Sequence, residues 1–318
     1  MSVSSLSVIV PVFNEQESLV SLHEAVCKAV QPLGLPFEVI YVDDGSTDGS
    51  AGVLADLHSK YPERVQVIEL RRNFGQTAAI AAGFDAASGE VIIPMDADLQ
   101  NDPEDIRNLL SKLEEGFDLV SGWRAERKDP LSRRVPSALA NRLISWITGV
   151  RLHDYGCTLK AYRREVVEHL NLYGEMHRFL PALASWAGAR VAEIKVRHHP
   201  RRFGQSKYGF GRTIRVLLDL ITLKFLLSYS TKPMQVFGKW GFFIMALGML
   251  MGFITAILKF LPPYKDVTGN PWMYLCIFFM LGGLQLIAVG LLGEINVRTY
   301  YESQRKRIYT IRRRLPRK

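Results

Sequence analysis

Two long stretches of this sequence, Trp240 to Leu258 and Trp272 to Gly293, contain no formally charged residue. As a helix, each is long enough to cross the ~30 Å hydrocarbon core of a bilayer. Helices buried in soluble proteins seldom run this far without a charged face. The pattern therefore predicts two transmembrane helices, at about residues 238–260 and 272–294, within a membrane region of residues 236–295.

The charges beside these stretches predict their orientation. Residues 294–318 hold nine Arg and Lys against Glu294 and Glu302, which is +7 of the net +9 and leaves +2 for the rest of the chain. A basic tail beside an apolar segment indicates a cytoplasmic membrane surface and argues against nucleic-acid binding. Lys232 and Lys239 lie on the other flank. We expect an integral protein of the plasma (inner) membrane, with both termini and the soluble part in the cytoplasm.

The first part of the chain alternates short β-branched runs with longer amphipathic stretches. Leu6–Val12 is followed by the helical stretch Glu17–Val30, then by Glu38–Val42 and a helix from Ser50. The same pattern predicts strands at Val65–Glu69, Val91–Met95 and Leu119–Ser121, and helices at Thr77–Ala87 and Pro103–Glu115. Such alternation is typical of βαβ units. We expect a cytosolic α/β domain over residues 1–211 with a mostly parallel sheet.

The alternation fades after Trp123, where charged and proline-rich sequence leads into a predicted amphipathic helix, Ser137–Ile147. Residues 212–235 are predicted to form a juxtamembrane linker. Within this linker, Thr213–Leu227 has apolar residues at helical spacing, which fits a helix at the membrane interface or a plain core helix. Residues 296–318 are predicted to form a basic cytoplasmic tail.

The turns after three predicted strands are acidic. Asn14 and Glu15 follow the first strand, Asp43 and Asp44 the second, and the segment Asp96-Ala97-Asp98-Leu99-Gln100 a later one. Sites on an open α/β sheet form at the carboxyl ends of its strands, and crowded carboxylates there favour a divalent cation. A lone Asp-x-Asp would be weak evidence, and Asp102 just downstream fits a simple helix cap. No glycine-rich dinucleotide or Walker motif follows the first strand.

Four ordered motifs together resemble a known family. They are Val8-Ile9-Val10-Pro11-Val12-Phe13-Asn14-Glu15, Val42-Asp43-Asp44-Gly45-Ser46-Thr47-Asp48, Asp96-Ala97-Asp98-Leu99-Gln100, and Arg201-x-x-Gly204-x-Ser206-Lys207-Tyr208. The chain resembles the family 2 glycosyltransferases of GT-A fold. Within them it is similar to the dolichol-phosphate mannose synthase group, above all to the bacterial bactoprenol (undecaprenyl-phosphate) glucosyltransferases. The resemblance implies a Rossmann-like, mostly parallel GT-A sheet followed by a C-terminal two-helix transmembrane hairpin.

The resemblance also implies roles for individual residues. The nucleotide-sugar would be bound by Pro11, Phe13, Glu15, Asp43 or Asp44, Asp96, Arg201, Ser206 and Lys207. The metal, Mg²⁺ or Mn²⁺, would be held by Asp96, Asp98 and Gln100, and Arg124 and Arg134 would meet the acceptor phosphate. Asp98 and Asp154 are the expected catalytic residues. Asp154 lies where inverting relatives place an acceptor-side carboxylate. A base role is open, because a phosphate with a second pKa of about 6 is already mostly ionised at neutral pH, and Asp154 could instead orient an arginine or the phosphate.

The implied activity is the inverting transfer of a hexose to the phosphate of undecaprenyl or another polyprenyl phosphate. Glucose from UDP-glucose is the expected donor sugar, with GDP-mannose and other donors open, and a non-catalytic scaffold of the same fold is the alternative. A processive polysaccharide synthase would need more membrane helices and a Gln-x-x-Arg-Trp motif, which this sequence lacks. Glycines in the apolar stretches favour a homo-oligomer, unless they serve only the intrachain hairpin. These are Gly241, Gly248, Gly252, Gly282 and Gly283.

Overall fold

The chain folds into two units, one built on a sheet and the other a pair of long helices. The computed structural model describes residues 3–125, 141–142, 144–146, 148–168, 177, 179–200, 233–260, 270–303 and 309–317. The predicted helix Ser137–Ile147 falls partly within these ranges, where residues 141, 142 and 144–146 are helical. The predicted interfacial stretch Thr213–Leu227 lies outside them.

An eight-stranded mixed sheet forms the first unit. Its strands are β1 (Leu6–Val12), β2 (Phe37–Asp43), β3 (Val65–Leu70), β4 (Val91–Pro94), β5 (Leu119–Trp123), β6 (Lys160–Arg163), β7 (Val191–Lys195) and β8 (Ile311–Leu315). Their order is β7-β5-β6-β4-β1-β2-β3-β8. The pairs β1–β2, β1–β4, β2–β3 and β5–β7 are parallel, whereas β6 and β8 run antiparallel to their neighbours. The expected mostly parallel sheet is thus confirmed among the described strands.

Helices cover both faces of this sheet. They are α1 (Leu19–Val30), α2 (Ser50–Lys60), α3 (Gln76–Ala86), α4 (Ile106–Glu114), α5 (Arg164–Glu168) and α6 (Leu180–Trp186). Because side chains alternate along a strand, Val8 and Val10 pack with α1 and α4 on one face, while Ile9 packs with α3 on the other. Gly83 of α3 leaves no room for a Cβ against Ile9. This close approach holds α3 on β1, next to the strand ends.

The sheet contains strands that the sequence did not predict. β6 and β7 follow the region where the alternation fades, and β8 lies in the segment expected to be a basic tail. β8 pairs with β3 through Val67↔Leu315 and Ile68↔Arg314. Just before it, the Tyr309 hydroxyl donates to Asp85 of α3 at 2.6 Å. The end of the chain is therefore part of the same sheet as its beginning.

The second unit is a helical hairpin of α7 (Pro233–Leu258) and α8 (Pro271–Ser303). Phe237–Leu258 and Pro271–Gly293 are apolar enough to span a membrane, with mean hydropathies of 2.3 and 2.4 and few buried side chains. Most of the predicted glycines face the partner helix, since Cβ atoms at Gly241 and Gly283 would meet the other residue's carbonyl oxygen at 2.7 and 2.6 Å. A Cβ at Gly282 would meet nothing within 4 Å.

Candidate active site

The loops after β1 and β2 are tied together at the carboxyl edge of the sheet. The Asn14 amide donates to Ser46 Oγ at 3.0 Å, and Asn14 Oδ1 accepts from the Thr47 amide at 2.8 Å. The Glu15 amide donates to Ser50 Oγ at 3.1 Å. Asn14 has a φ of 56°, a left-handed conformation that asparagine tolerates better than most residues. Pro11, Phe13 and Glu15, expected at the nucleoside, therefore lie on or just after β1, in a cross-braced loop.

Asp43 and Asp44 are both buried, but their contacts differ. Asp44 accepts the backbone amides of Phe74 and Gly75 at 2.7 and 2.9 Å, so both of its oxygens shape the loop after β3. Asp43 accepts the Ser46 amide through Oδ1 only, among contacts within the described residues. Gly45 has a φ of 70°, and a Cβ there would lie 2.6 Å from the backbone of the β3 loop. The geometry favours Asp43 as the ligand-binding member of the pair.

The Asp-x-Asp turn follows β4, where the sheet edge is crowded with acids. Gln76 donates to Asp96 at 2.8 Å, and the Gln100 amide donates to Asp98 at 3.2 Å. Leu99 between them has a φ of 60°, which is unusual for a leucine and indicates backbone strain at this turn. Burial and the neighbouring Asp98 raise the pKa of Asp96. A bound cation would favour the ionised form of both carboxylates.

The residues of this turn fit a divalent cation bound together with a diphosphate. Asp96, Asp98 and Gln100 supply hard oxygen ligands, which Mg²⁺ and Mn²⁺ prefer. No group of three His, Cys, Asp or Glu side chains forms a metal cage within the part of the chain that the structure describes. Mg²⁺ sites that serve phosphates commonly use one or two carboxylates and complete the shell with phosphate oxygens and water. Asp102, the proposed simple cap, does accept the Glu104 amide at the start of the next helical turn.

Arg124, just beyond β5, forms an ion pair with Asp154. Its Nε and one Nη donate to the two carboxylate oxygens at 2.7 and 2.9 Å, a bidentate pair that is 15% and 7% exposed. Asp154 also accepts the amides of Arg124 and Gly156. Burial opposes ionisation of Asp154, but the hydrogen bonds and charge of Arg124 prevail and lower its pKa. A carboxylate so fully engaged is suited to orienting Arg124 and poorly suited to accepting a proton.

Lys160, the first residue of β6, is a buried cation that the sequence analysis did not identify. Its side chain is buried, and Nζ donates to the carbonyls of Tyr155 and Cys157. Burial lowers its pKa, while Asp154 and Asp96 act in the opposite direction. Only the residue's place in the fold reveals it, because a lysine inside a short apolar run gives no functional pattern. Lys160 holds the turn that joins Asp154 to β6.

Four of the predicted site residues cannot be placed in the fold. Arg134, Arg201, Ser206 and Lys207 lie outside the described residues. His199, just before residues 201–208, makes structural contacts: its Nε2 lies 3.1 Å from Asp102, and its amide donates to the Gln100 carbonyl. These bonds join the Asp-x-Asp turn to the chain that enters residues 201–208.

A mixed sheet with an acidic turn after β4 and polar loops after β1 and β2 is typical of the GT-A class of glycosyltransferases. The sequence profile described as "Glycosyl transferase family 2" matches residues 7–170. The chain therefore belongs to glycosyl transferase family 2, and it is a glycosyltransferase.

Two bacterial relatives are similar over nearly the whole chain. The dodecaprenyl-phosphate galacturonate synthase of Rhizobium johnstonii is 43% identical over 311 residues, covering 96% of this chain and 92% of its own. The undecaprenyl-phosphate 4-deoxy-4-formamido-L-arabinose transferase of an Enterobacter species is 38% identical, with coverages of 98% and 94%. The predicted resemblance to polyprenyl-phosphate sugar transferases is confirmed at the level of the family.

A solved structure supports the fold. Glucosyl-3-phosphoglycerate synthase from Mycobacterium tuberculosis, crystallised with Mn²⁺, UDP and glucosyl-3-phosphoglycerate, aligns with a TM-score of 0.53. The alignment covers 70% of this chain and 80% of that one at 20% identity. At this identity the likeness shows the GT-A fold alone.

Proposed function

We propose that this protein transfers a sugar from a nucleoside-diphosphate sugar to the phosphate of a polyprenyl phosphate. The observation that carries the proposal is that two groups of opposite charge, an acidic turn and a fixed arginine, lie at the same edge of the sheet. The acidic turn after β4 suits a cation-bound diphosphate, while the buried Arg124–Asp154 pair after β5 presents a fixed guanidinium. The donor diphosphate fits the acidic turn with its cation, and the acceptor phosphate fits the guanidinium. The names of the two relatives supply the lipid class.

The chain's own residues would mainly bind and orient. Asp43 and the β1 loop would hold the nucleoside. Arg124, fixed by Asp154, would align the lipid phosphate for in-line attack on the anomeric carbon, with inversion and departure of the nucleoside diphosphate. The acceptor phosphate is mostly ionised at neutral pH, so no protein base has to deprotonate it. Mg²⁺ or Mn²⁺ held by Asp96, Asp98 and Gln100 would neutralise charge on the departing diphosphate.

The donor sugar is a finer proposal. Glucose was expected from the sequence, but the similar relatives act, by name, on galacturonate and on 4-deoxy-4-formamido-L-arabinose. We therefore place UDP-galacturonate first, with UDP-glucose and GDP-mannose as competitors.

The test is a donor screen on the purified chain in lipid nanodiscs. Radiolabelled UDP-galacturonate, UDP-4-deoxy-4-formamido-L-arabinose, UDP-glucose and GDP-mannose are each supplied with and without undecaprenyl phosphate, and the chloroform-soluble label is counted. Label that requires the lipid phosphate supports the proposal, and its identity decides the donor. No lipid-linked label from any donor, in a preparation that binds UDP, would favour a non-catalytic scaffold. Arg124→Ala should lower transfer efficiency roughly thirtyfold and keep UDP affinity. Arg107→Ala, at an exposed residue of α4, should change neither.

Arg134 is proposed as a second acceptor-phosphate residue, and Arg201, Ser206 and Lys207 as donor-diphosphate residues, on the family resemblance. If Arg124→Ala or Arg134→Ala lost UDP binding in proportion to transfer, that arginine would belong to the donor site. Arg→Lys is also expected to be costly, because an ammonium cannot reproduce a bidentate guanidinium contact.

We also propose that α7 and α8 anchor the protein in the plasma membrane, with the sheet unit in the cytoplasm, as the basic flanks indicate. A homo-oligomer is proposed on a narrower basis than the glycine pattern alone. Gly241 and Gly283 serve the intrachain hairpin, but Gly282 faces open space. One turn further along α8, the amide of Gln285 is exposed within the apolar span. An amide both donates and accepts, so the same residue of a second copy could satisfy it in lipid.

A further inference from the structure

We infer that Glu193 on β7 is a positioning residue for the acceptor-binding arginine, acting on Arg124 through the turn that carries Asp154. The inference rests on the proposed function, since it assigns Arg124 to the acceptor phosphate. Glu193 lies outside the acidic motifs and the Asp-x-Asp turn, so no sequence pattern identifies it.

Glu193 is engaged entirely by the 153–154 turn. Its Oε1 accepts the amides of His153 and Asp154 at 2.9 and 3.0 Å. Its Oε2 lies 2.7 Å from His153 Nδ1 and 3.0 Å from the His153 amide. The Glu193 side chain is 10% exposed, whereas the His153 side chain is 68% exposed, so the bond to the Asp154 amide is the more buried part of this contact. A single carboxylate thus fixes the backbone at the residue whose side chain grips Arg124.

The same strand also braces the residue before Arg124. In the parallel β5–β7 pairing, Trp123 lies opposite Lys195. The Trp123 ring stacks on His153, with centroids 4.2 Å apart and planes 17° apart, and the Lys195 ammonium lies 5.5 Å from the same ring. Glu193 and Lys195 are two residues apart and therefore share a face of β7. Trp123 is therefore held by Lys195 and by His153 of the turn, while Arg124 is held by Asp154, whose backbone is bound to Glu193.

The geometry of the bidentate Arg124–Asp154 pair explains why this support by Glu193 matters. A bidentate contact depends on the direction of both groups, and a shift of the Asp154 backbone would misalign the pair. A misplacement of about 1 Å at a substrate-orienting group can cost on the order of a hundredfold in rate. On the side toward β6, the buried Tyr155 follows Asp154, and its carbonyl accepts from Lys160. Glu193 supplies the support from the side of β7, where it accepts the amide of Asp154 itself.

A matched control lies at the other end of the same pair of strands. Asp118, just before β5, accepts the Arg190 amide at 2.7 Å and so also joins β5 to β7 through a carboxylate and a backbone N–H. Asp118 lies at the opposite end of β5 from the Arg124–Asp154 pair. If Glu193 merely stabilised the β5–β7 pairing, removal of Asp118 would have the same effect on transfer.

The experiment is a double-mutant cycle in nanodiscs that contain undecaprenyl phosphate. Glu193→Ala is expected to lower transfer efficiency about tenfold, through a higher KM for the lipid phosphate, with unchanged UDP affinity. Glu193→Gln keeps an oxygen for both amides and should recover most of the loss. In an Arg124→Ala background, Glu193→Ala should add nothing, because its effect passes through Arg124. Asp118→Ala should stay near wild type.

Three results would overturn the inference: additive losses in the cycle, an equal loss from Asp118→Ala, or a proportional loss of UDP affinity. If Glu193→Ala does not fold, Glu193→Asp, which is one methylene too short to reach both amides, takes its place in the cycle. The affinity for undecaprenyl phosphate is measured alongside transfer. A protein that binds the lipid but transfers no sugar would refute the proposed function, while the cycle in binding affinity would still decide the role of Glu193.

Discussion

Replacing Asp154 with asparagine separates orientation of Arg124 from proton transfer. The carboxylate accepts two guanidinium N–H groups and two backbone amides, and Arg124 retains part of its donor capacity for a ligand. Asparagine keeps one oxygen but turns an amide group toward the other donor, so one charge-assisted bond is lost. Such a bond contributes roughly 1.5–3 kcal/mol, and about 2 kcal/mol expressed in transfer corresponds to roughly thirtyfold.

The pH dependence of transfer distinguishes a base role of Asp154 from an orienting role. Since the pKa of Asp154 lies below its ordinary value, the carboxylate stays ionised at neutral pH, and the stability it contributes is lost only as pH falls through that low pKa. The acceptor phosphate has a second pKa of about 6. Initial rates of lipid-linked sugar formation between about pH 5 and pH 8.5 should therefore rise near pH 6 in wild type and variant alike, with the variant lower throughout.

Two results would refute this reasoning. One is a limb of the wild-type profile that disappears in Asp154→Asn while the limb of the acceptor phosphate remains. The other is a loss of a thousandfold or more with an unchanged KM for the lipid, which is the range of general base catalysis. Asp118→Asn serves as the control, because Asp118 pairs with Arg190 at the far end of β5.

Three further outcomes are expected. Chelation with EDTA, or Asp98→Ala, should remove most transfer and leave thermal unfolding of the protein unchanged, and full activity in EDTA would exclude the metal site. Gly45→Ala should weaken UDP binding at least tenfold and lower Tm, because alanine costs about 1–2 kcal/mol at a φ of 70° and its Cβ would meet backbone at 2.6 Å; an unchanged UDP titration would contradict the account of this loop. Gly241→Leu should disrupt the hairpin and reduce folded yield, whereas Gly282→Leu should preserve yield and lower the particle mass in nanodiscs, and equal behaviour of the two variants would remove the basis for the oligomer.

The alternating part of the sequence predicted its structure closely because each element there carries a local signal. β1 spans Leu6–Val12 as expected, and α1 buries Leu19, Leu22 and Val26 at helical spacing. The acidic turns were also found from the sequence, because polar residues directly after buried strands mark the carboxyl edge of a parallel sheet.

What the sequence could not predict depends on contacts between distant segments. The four residues of β6 begin with the buried Lys160, which breaks the apolar pattern of a strand. β8 is masked by three successive arginines, yet its Arg313 lies 3.9 Å from Glu69 and its Ile311 packs against the core. The pairing of Arg124 with Asp154, thirty positions apart, likewise follows only from the fold.

The position of β8 limits how the chain can be threaded through a bilayer. β3 and β8 are hydrogen-bonded neighbours, yet α7 and α8 lie between them in the sequence. The number of membrane crossings between two neighbours in one sheet must be even, so two spans are allowed and one alone is not. The order of synthesis has a consequence as well. In the proposed membrane topology, one edge of β3 stays unpaired until α7 and α8 have been synthesised, so the nascent sheet would carry an open, aggregation-prone edge during membrane insertion.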